Sequence, residues 1–202
     1  MLFYCDMDKL LKNLQNRGFI PHLFDTTEQA KEFFANELSG VSVGMGGSMT
    51  IDELGLYELL KQRNTVYSHT YCKDDDELKN ASLADVYISS ANAISEDGEI
   101  VNIDGRGNRV SSIIWGANRK RVYIVVGSNK IATDLPSAIV RAKNIAAPKN
   151  AMRLERKTPC ALKADKCYKC NSPDKICRVM TIQTHPTSAE THVVLIRQEI
   201  GY

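Results

Sequence analysis

The 202-residue sequence predicts an α/β fold, a three-layer sandwich with a mainly parallel sheet and one inserted β-hairpin. Three observations predict it. Helical and extended hydrophobic patterns alternate from Leu10 to Pro148. The run Val122-Tyr123-Ile124-Val125-Val126 is apolar throughout, as a strand covered on both faces requires. Asp97-Gly98 lies between two short extended stretches, the pattern of a tight hairpin turn.

The elements follow in order. Leu10, Leu11 and Leu14 give a helical spacing that stops at Gly18, and Phe19-Ile20 with Leu23-Phe24 suggest a short strand after it. Thr26 followed by Gln29 is a capping box opening a helix that carries Ala30, Phe33, Phe34 and Leu38. Val41-Ser42-Val43 is a strand that breaks into the glycine loop Gly44-Met45-Gly46-Gly47-Ser48. Thr50 with Glu53 repeats the capping box, so one helix is expected from Thr50 through Leu54, Leu56, Leu59 and Leu60. Thr65 to His69 reads as a strand, Asp74 to Ala81 as a helix, Ala84 to Ser89 as a strand and Asn92 to Ile103 as the hairpin. A helix is expected from Asn108 to Trp115, ending at Gly116, then the strand Arg121–Gly127. Asp134 and Pro136 start a last helix, which Pro148 closes.

Composition bounds the class. A hydrophobic fraction of 43% with 25% charged residues is that of a soluble globular chain able to bury one substantial core, so a single domain over residues 1–202 is expected. No apolar run approaches the roughly 18 residues of a membrane span, and Met1 to Asp6 lack the basic start and apolar core of a secretory leader. A cytoplasmic protein without membrane contact is the expectation. The net charge of +2 hides an asymmetry: residues 141–178 hold 11 Lys and Arg against 3 Asp and Glu. This basic stretch surrounds the cysteines of residues 158–178 and suits nucleic acid, an acidic partner or an anionic substrate, with a solvated basic face as the competing reading.

The chemistry is expected at the carboxyl ends of the strands. Glycines let main-chain N–H groups approach a ligand, so Gly44, Gly46, Gly47, Ser48 and Thr50 are read as the grip on a carboxylate or phosphate. Met49 stands where a dinucleotide loop needs its third glycine, and no Walker lysine is present. A purely structural strand-to-helix turn is the competing reading. Asn102 to Arg109 forms a second glycine-relieved turn, in which Asp104 could act as a general base and Arg106 or Arg109 could clamp an anion. Asn92 and Asn108 are placed to orient a substrate, and Lys130, after the most apolar strand, to meet its carboxylate. Asn and Asp are also common turn formers and caps. The histidines show no metal spacing, and Cys5 and Cys72 read as ordinary residues. Cys160, Cys167, Cys170 and Cys177 fall within 18 residues, and four thiols can surround zinc or an iron–sulfur cluster. A redox-active pair at Cys167 and Cys170 is the alternative.

Taken together, Val43 to Glu53, Asn92 to Gly105 and Thr158-Pro159-Cys160 through Cys177 resemble the stand-alone lactate-utilisation (LUD) domain family over almost the whole chain. The resemblance implies the NagB/RpiA/CoA transferase-like fold, shared by ribose-phosphate isomerase, glucosamine-phosphate deaminase and coenzyme A transferases. In those relatives a glycine loop after the first core strand binds phosphate or carboxylate. It also implies participation in the oxidation of lactate to pyruvate beside an iron–sulfur redox subunit. Apart from the resemblance, nucleic acid is the least expected partner and a homo-oligomer is compatible with the sequence. Two other functions compete: a non-catalytic regulatory or assembly module docking through residues 158–178, and a sugar-phosphate isomerase or acyl-transfer enzyme. Asn92 opposes the isomerase, because it stands where the similar methylthioribose-phosphate isomerase carries a catalytic aspartate and an amide cannot be a general base.

Overall fold

The computed structural model describes residues 6–74 and 76–202. The readings of Cys5 and of the first five residues lie outside the described residues. In chain order the elements are α1 (Met7–Asn16), β1 (Ile20–Phe24), α2 (Thr27–Glu37), β2 (Ser42–Met45), α3 (Met49–Glu53), α4 (Leu56–Leu60), β3 (Thr65–Tyr67), α5 (Glu77–Leu83), β4 (Val86–Ser90), β5 (Ala93–Ser95), β6 (Ile100–Asp104) and α6 (Asn108–Ile114). Then come β7 (Arg121–Gly127), β8 (Ile131–Ala132), α7 (Leu135–Arg141), α8 (Ala147–Arg153), α9 (Pro159–Lys163), β9 (Val179–Gln183) and β10 (Glu190–Ile196).

The main sheet has six strands in the order β1-β10-β7-β4-β2-β3, every neighbouring pair parallel. Alternate side chains of its strands feed two cores. Val43, Met45, Val86, Ile88, Tyr123, Val125, Val194 and Ile196 meet α2, α3 and α4 on one face. Tyr87, Val122, Ile124, Val126, Val193 and Leu195 meet α1, α6 and the hairpin on the other. Leu10 and Leu14 of α1 are wholly buried there, each contributing about 2 kcal/mol by leaving water. The predicted helix spacing thus serves as packing. The hairpin β5–β6 turns at Asp97-Gly98, where Gly98 takes φ +90°, and it belongs to a second sheet, β8-β5-β6-β9. A small alanine-rich core joins that sheet to α7 and the helix after it.

Three expectations need correction. The helix expected from Thr50 starts instead at Met49 with Ser48 before it and no side-chain cap, and it breaks at Gly55, whose φ of +64° suits a residue without Cβ. Thr50 is therefore inside the first turn, with its hydroxyl turned to the interior. The last helix does not stop at Pro148. That residue has no N–H for the preceding turn, and the chain widens into one π turn, Ala142–Ala146, before resuming as α8. Finally, β8, β9 and β10 were not predicted. β10 is a central strand, pairing β1 on one side and β7 on the other.

Candidate functional site

The carboxyl ends of β2, β3, β4 and β7 and the chain beyond β10 surround one cavity of about 410 Å³. Its wall includes Gly47, Ser48 and Met49 after β2, His69 and Thr70 after β3, Ser90 to Asn92 after β4, and Lys130 after β7. Asp104 to Arg106, Asn108 and Arg109 close a second side. Asn150, Arg153 and Arg156 from α8 and beyond, with Ile176 and Tyr202, close a third. The structure brings together Gly47, Ser48, Asn92, Asp104, Arg106, Asn108, Arg109 and Lys130 from the sequence analysis. Gly44, Gly46, Thr50 and the four cysteines are not in the wall.

The absent glycines have packing roles. A Cβ on Gly44 would lie 2.1 Å from the Ala81 carbonyl oxygen of α5, so this glycine lets helix and strand touch. A Cβ on Gly46 would lie 2.8 Å from the Tyr87 hydroxyl and 3.0 Å from Arg109 Cγ. Gly47 is different, since its nearest side chains, Thr70 and His69, themselves line the cavity. No hydrogen bond from the Gly47, Ser48 or Met49 N–H is found among the described residues.

The charged groups divide into those already engaged and those facing the cavity. Asp104 accepts four main-chain N–H groups, from Arg106 and Gly107 at 3.0 Å, Arg109 at 3.0 Å and Val110 at 3.1 Å. Its carboxylate thus caps α6, and no lone pair is left to take a substrate proton. This corrects the general-base reading. Arg109 donates through both terminal nitrogens to Ser90 O, Asn102 Oδ1, Asn92 Oδ1 and Ile103 O, all within 3.0 Å. It is a tie between β4, β6 and α6 rather than a free clamp, and burial holds its pKa below the usual value. Asn92 Oδ1 is also taken by the Ile103 N–H at 2.7 Å, which leaves its amide NH₂ as the group to meet a ligand.

Lys130 is 2% exposed, and its ammonium donates to Thr50 Oγ1 at 2.5 Å and Ser90 Oγ at 2.9 Å. Burial first, then the positive charges of Arg141 and Arg109, lower its pKa to about 7, against a smaller opposing effect of Glu53. Arg106 is exposed at the rim. Arg153 donates to Asn150 Oδ1 at 2.8 Å, and Tyr202 donates its hydroxyl to the same oxygen at 3.1 Å. His69 has a buried Nδ1 with no partner, and its pKa is lowered by burial and then by Arg106 and Arg153. The cavity therefore presents arginines, a lysine, a neutral imidazole and amide donors. Among the described residues of its wall, Asp104 is the one carboxylate, and it is internally engaged.

Sequence reasoning missed His69, Asn150, Arg153, Arg156 and Tyr202. His69 carried a signal, since it was placed at the carboxyl end of an expected strand. Asn150 and Arg153 stand three apart, on one helical face, but Pro148 was read as the helix end.

The basic cysteine segment packs on the cavity's outer side. Arg178 N–H donates to Asp104 O at 3.0 Å, Arg156 pairs with Asp174 at 3.3 Å, and Cys167 N–H donates to Asn144 Oδ1 of the π turn at 3.0 Å. Burial, and then the neighbouring Cys167 and Cys170, raise the Cys177 thiol above its usual pKa. Cys160 Sγ lies 3.3 Å from Thr158 Oγ1. Among the described residues no three Cys, His, Asp or Glu side chains come close enough to hold a metal ion. No helix among them is long and apolar enough to cross a membrane.

Comparison with known proteins agrees with this architecture. The family described as LUD domain matches residues 7–196. No curated protein matches. Among solved structures, a DUF162 family protein from Deinococcus radiodurans is similar with a TM-score of 0.55 at 12% identity, covering 94% of this chain and 95% of the other. The β subunit of eIF2B from Chaetomium thermophilum gives a TM-score of 0.36 at 10% identity over 65% of this chain and 48% of its own.

Proposed function

From the premise that this chain belongs to the LUD domain family, we propose that its cavity binds a small carboxylate- or phosphate-bearing metabolite and serves the oxidation of lactate to pyruvate. The observation that carries this reading is a cationic cavity without a free acid. Arg106, Arg153 and Lys130 line it together with Asn92 and with Gly47 and Ser48 of the glycine loop, while Asp104 is consumed by α6. Such a site stabilises an anion and repels a cation. At about 410 Å³ it accommodates a metabolite of a few carbons. Lactate gives up two electrons and two protons on becoming pyruvate, so a partner redox subunit takes the electrons in this scheme. An isomerase role is less well supported, since the acid such chemistry needs is an asparagine at position 92 and is engaged at position 104.

The test is thermal unfolding with lactate, pyruvate or ribose 5-phosphate at millimolar concentration. A rise in Tm with at least one of them, lost in Arg153→Ala, supports the reading. Unchanged Tm with all three rejects it.

We extend the proposal to the four cysteines. Zinc or an iron–sulfur cluster held by Cys160, Cys167, Cys170 and Cys177 requires residues 164–178 to draw in, because the thiols do not meet at ligand distance in this arrangement.

A further inference from the structure

We propose that Lys130 is the covalent centre of the cavity, its side-chain amine condensing with the carbonyl carbon of a small 2-oxo acid to form an imine. This rests on the anion-binding reading above and names the substrate class of that site. Three features of the geometry carry it.

The first is a buried lysine with no acidic partner. Lysines that leave water are ordinarily paired with a carboxylate, but the amine of Lys130 touches two neutral hydroxyls, Thr50 and Ser90. The nearby charges are Arg141 and Arg109, which repel it, and Glu53, whose Oε2 is held by the Gly201 N–H at 2.8 Å. Arg141 in turn is committed to the Asn129 and Asn92 carbonyl oxygens. Burial and the two arginines disfavour an ammonium here more than Glu53 favours it, and a neutral amine is the nucleophilic form.

The second is that the same lysine forms part of the cavity wall beside Ser90 and Asn92. A lysine needed only to bridge Thr50 and Ser90 has no reason to border this cavity. The third sets the ligand's shape. The unengaged N–H groups of Ser48 and Met49 lie within two residues of Thr50, whose hydroxyl is 2.5 Å from the amine. Ser48 and Met49 line the same cavity as Lys130, so an anionic group held there shares that space with Nζ. A 2-oxo acid, whose carbonyl is attached directly to its carboxylate, is the smallest ligand that offers both groups to this wall.

The step balances without an oxidant or reductant. The Nζ lone pair forms the C–N bond, and the carbonyl π pair moves to oxygen. That oxygen then leaves as one water carrying the two protons of the neutral amine, which leaves C=N between lysine and acid. The Thr50 and Ser90 hydroxyls are placed to relay those protons.

The experiment is reductive trapping of the full chain with pyruvate and sodium cyanoborohydride, read by intact mass and peptide mapping, with thermal unfolding in parallel. The expected result is one adduct, with the mass of pyruvate less water plus two hydrogens, on Lys130. It should be absent in Lys130→Arg and suppressed by excess lactate, which has the charge but no carbonyl. If Lys130→Arg does not fold, the peptide map and the lactate competition on the native sequence decide. Stabilisation by pyruvate with no adduct at Lys130 overturns this inference and leaves the anion-binding reading standing. Adducts spread over exposed lysines and indifferent to lactate overturn it equally, and neither stabilisation nor adduct removes both.

Discussion

Asp104 and Lys130 stand in one wall with different duties. Asp104 is structural. Replacing it by Ala strands four N–H groups at the start of α6, and a loss of about 3 kcal/mol is expected in urea denaturation, from the range for bonds to charged acceptors. Lys130 has a pH signature. Its folded pKa of about 7 lies below the ordinary 10.5, so between those values the unfolded chain binds more protons than the native one. Stability attributable to this residue is therefore lowest below pH 7, climbs as pH rises through the window, and levels off above it. Native protein should gain stability relative to Lys130→Met across that interval in denaturation series at matched ionic strength; a constant difference would show that the lysine titrates normally. At this scale the sequence was readable for identity and not for duty. It named Asp104, Arg109 and Lys130, yet which lone pairs and protons remain unspent depends on neighbours from β4, β6 and α3.

At the scale of elements, glycine and proline positions decide what the cavity contains. Gly44→Ala forces a methyl into the Ala81 carbonyl and should cost about 3 kcal/mol by overpacking without any direct effect on a ligand. Gly46→Ala instead presses on Arg109 and should disturb the Asn92 amide that Arg109 holds. The π turn makes a sharper prediction. One residue turns an α-helix by about 100°, so inserting one alanine between Pro148 and Lys149, beyond the widened turn, should rotate Asn150 and Arg153 away from the cavity. The variant is expected to keep its circular dichroism but lose the Tm rise with lactate or pyruvate. A full ligand response would mean that α8 does not contribute. Most βα units were legible because each strand and its helix are adjacent in sequence. The phase of α8 was not, since Pro148 looks like a stop unless the widened turn that absorbs it is known.

For the whole molecule, the cysteine segment is joined to the cavity by Arg178, Asp174 and the contact from Cys167 to Asn144. Metal analysis with a visible spectrum on protein purified without oxygen should find one centre per chain, brown for a cluster or colourless for zinc. Metal-free protein would withdraw that part of the proposal. If a centre forms, stripping it should weaken ligand stabilisation through those same joints. Anion binding should also weaken as ionic strength rises, because the cavity's arginines are partly exposed. The parallel sheet and the hairpin were visible in the sequence. β10 was not, because it follows a polar stretch and has no helix after it to complete a recognisable unit.

That strand has a consequence for synthesis. Among the described residues of the main sheet β1 touches β10 and no other strand, so residues 20–24 must wait for residues 190–196. Tyr202, beyond β10, borders the cavity as well. A nascent chain leaving the ribosome therefore holds unpaired edges on β1 and β7 until residues 190–196 emerge, and the main sheet closes only then. Chains interrupted before that point would be substrates for chaperones and proteases, with neither a closed sheet nor a binding site.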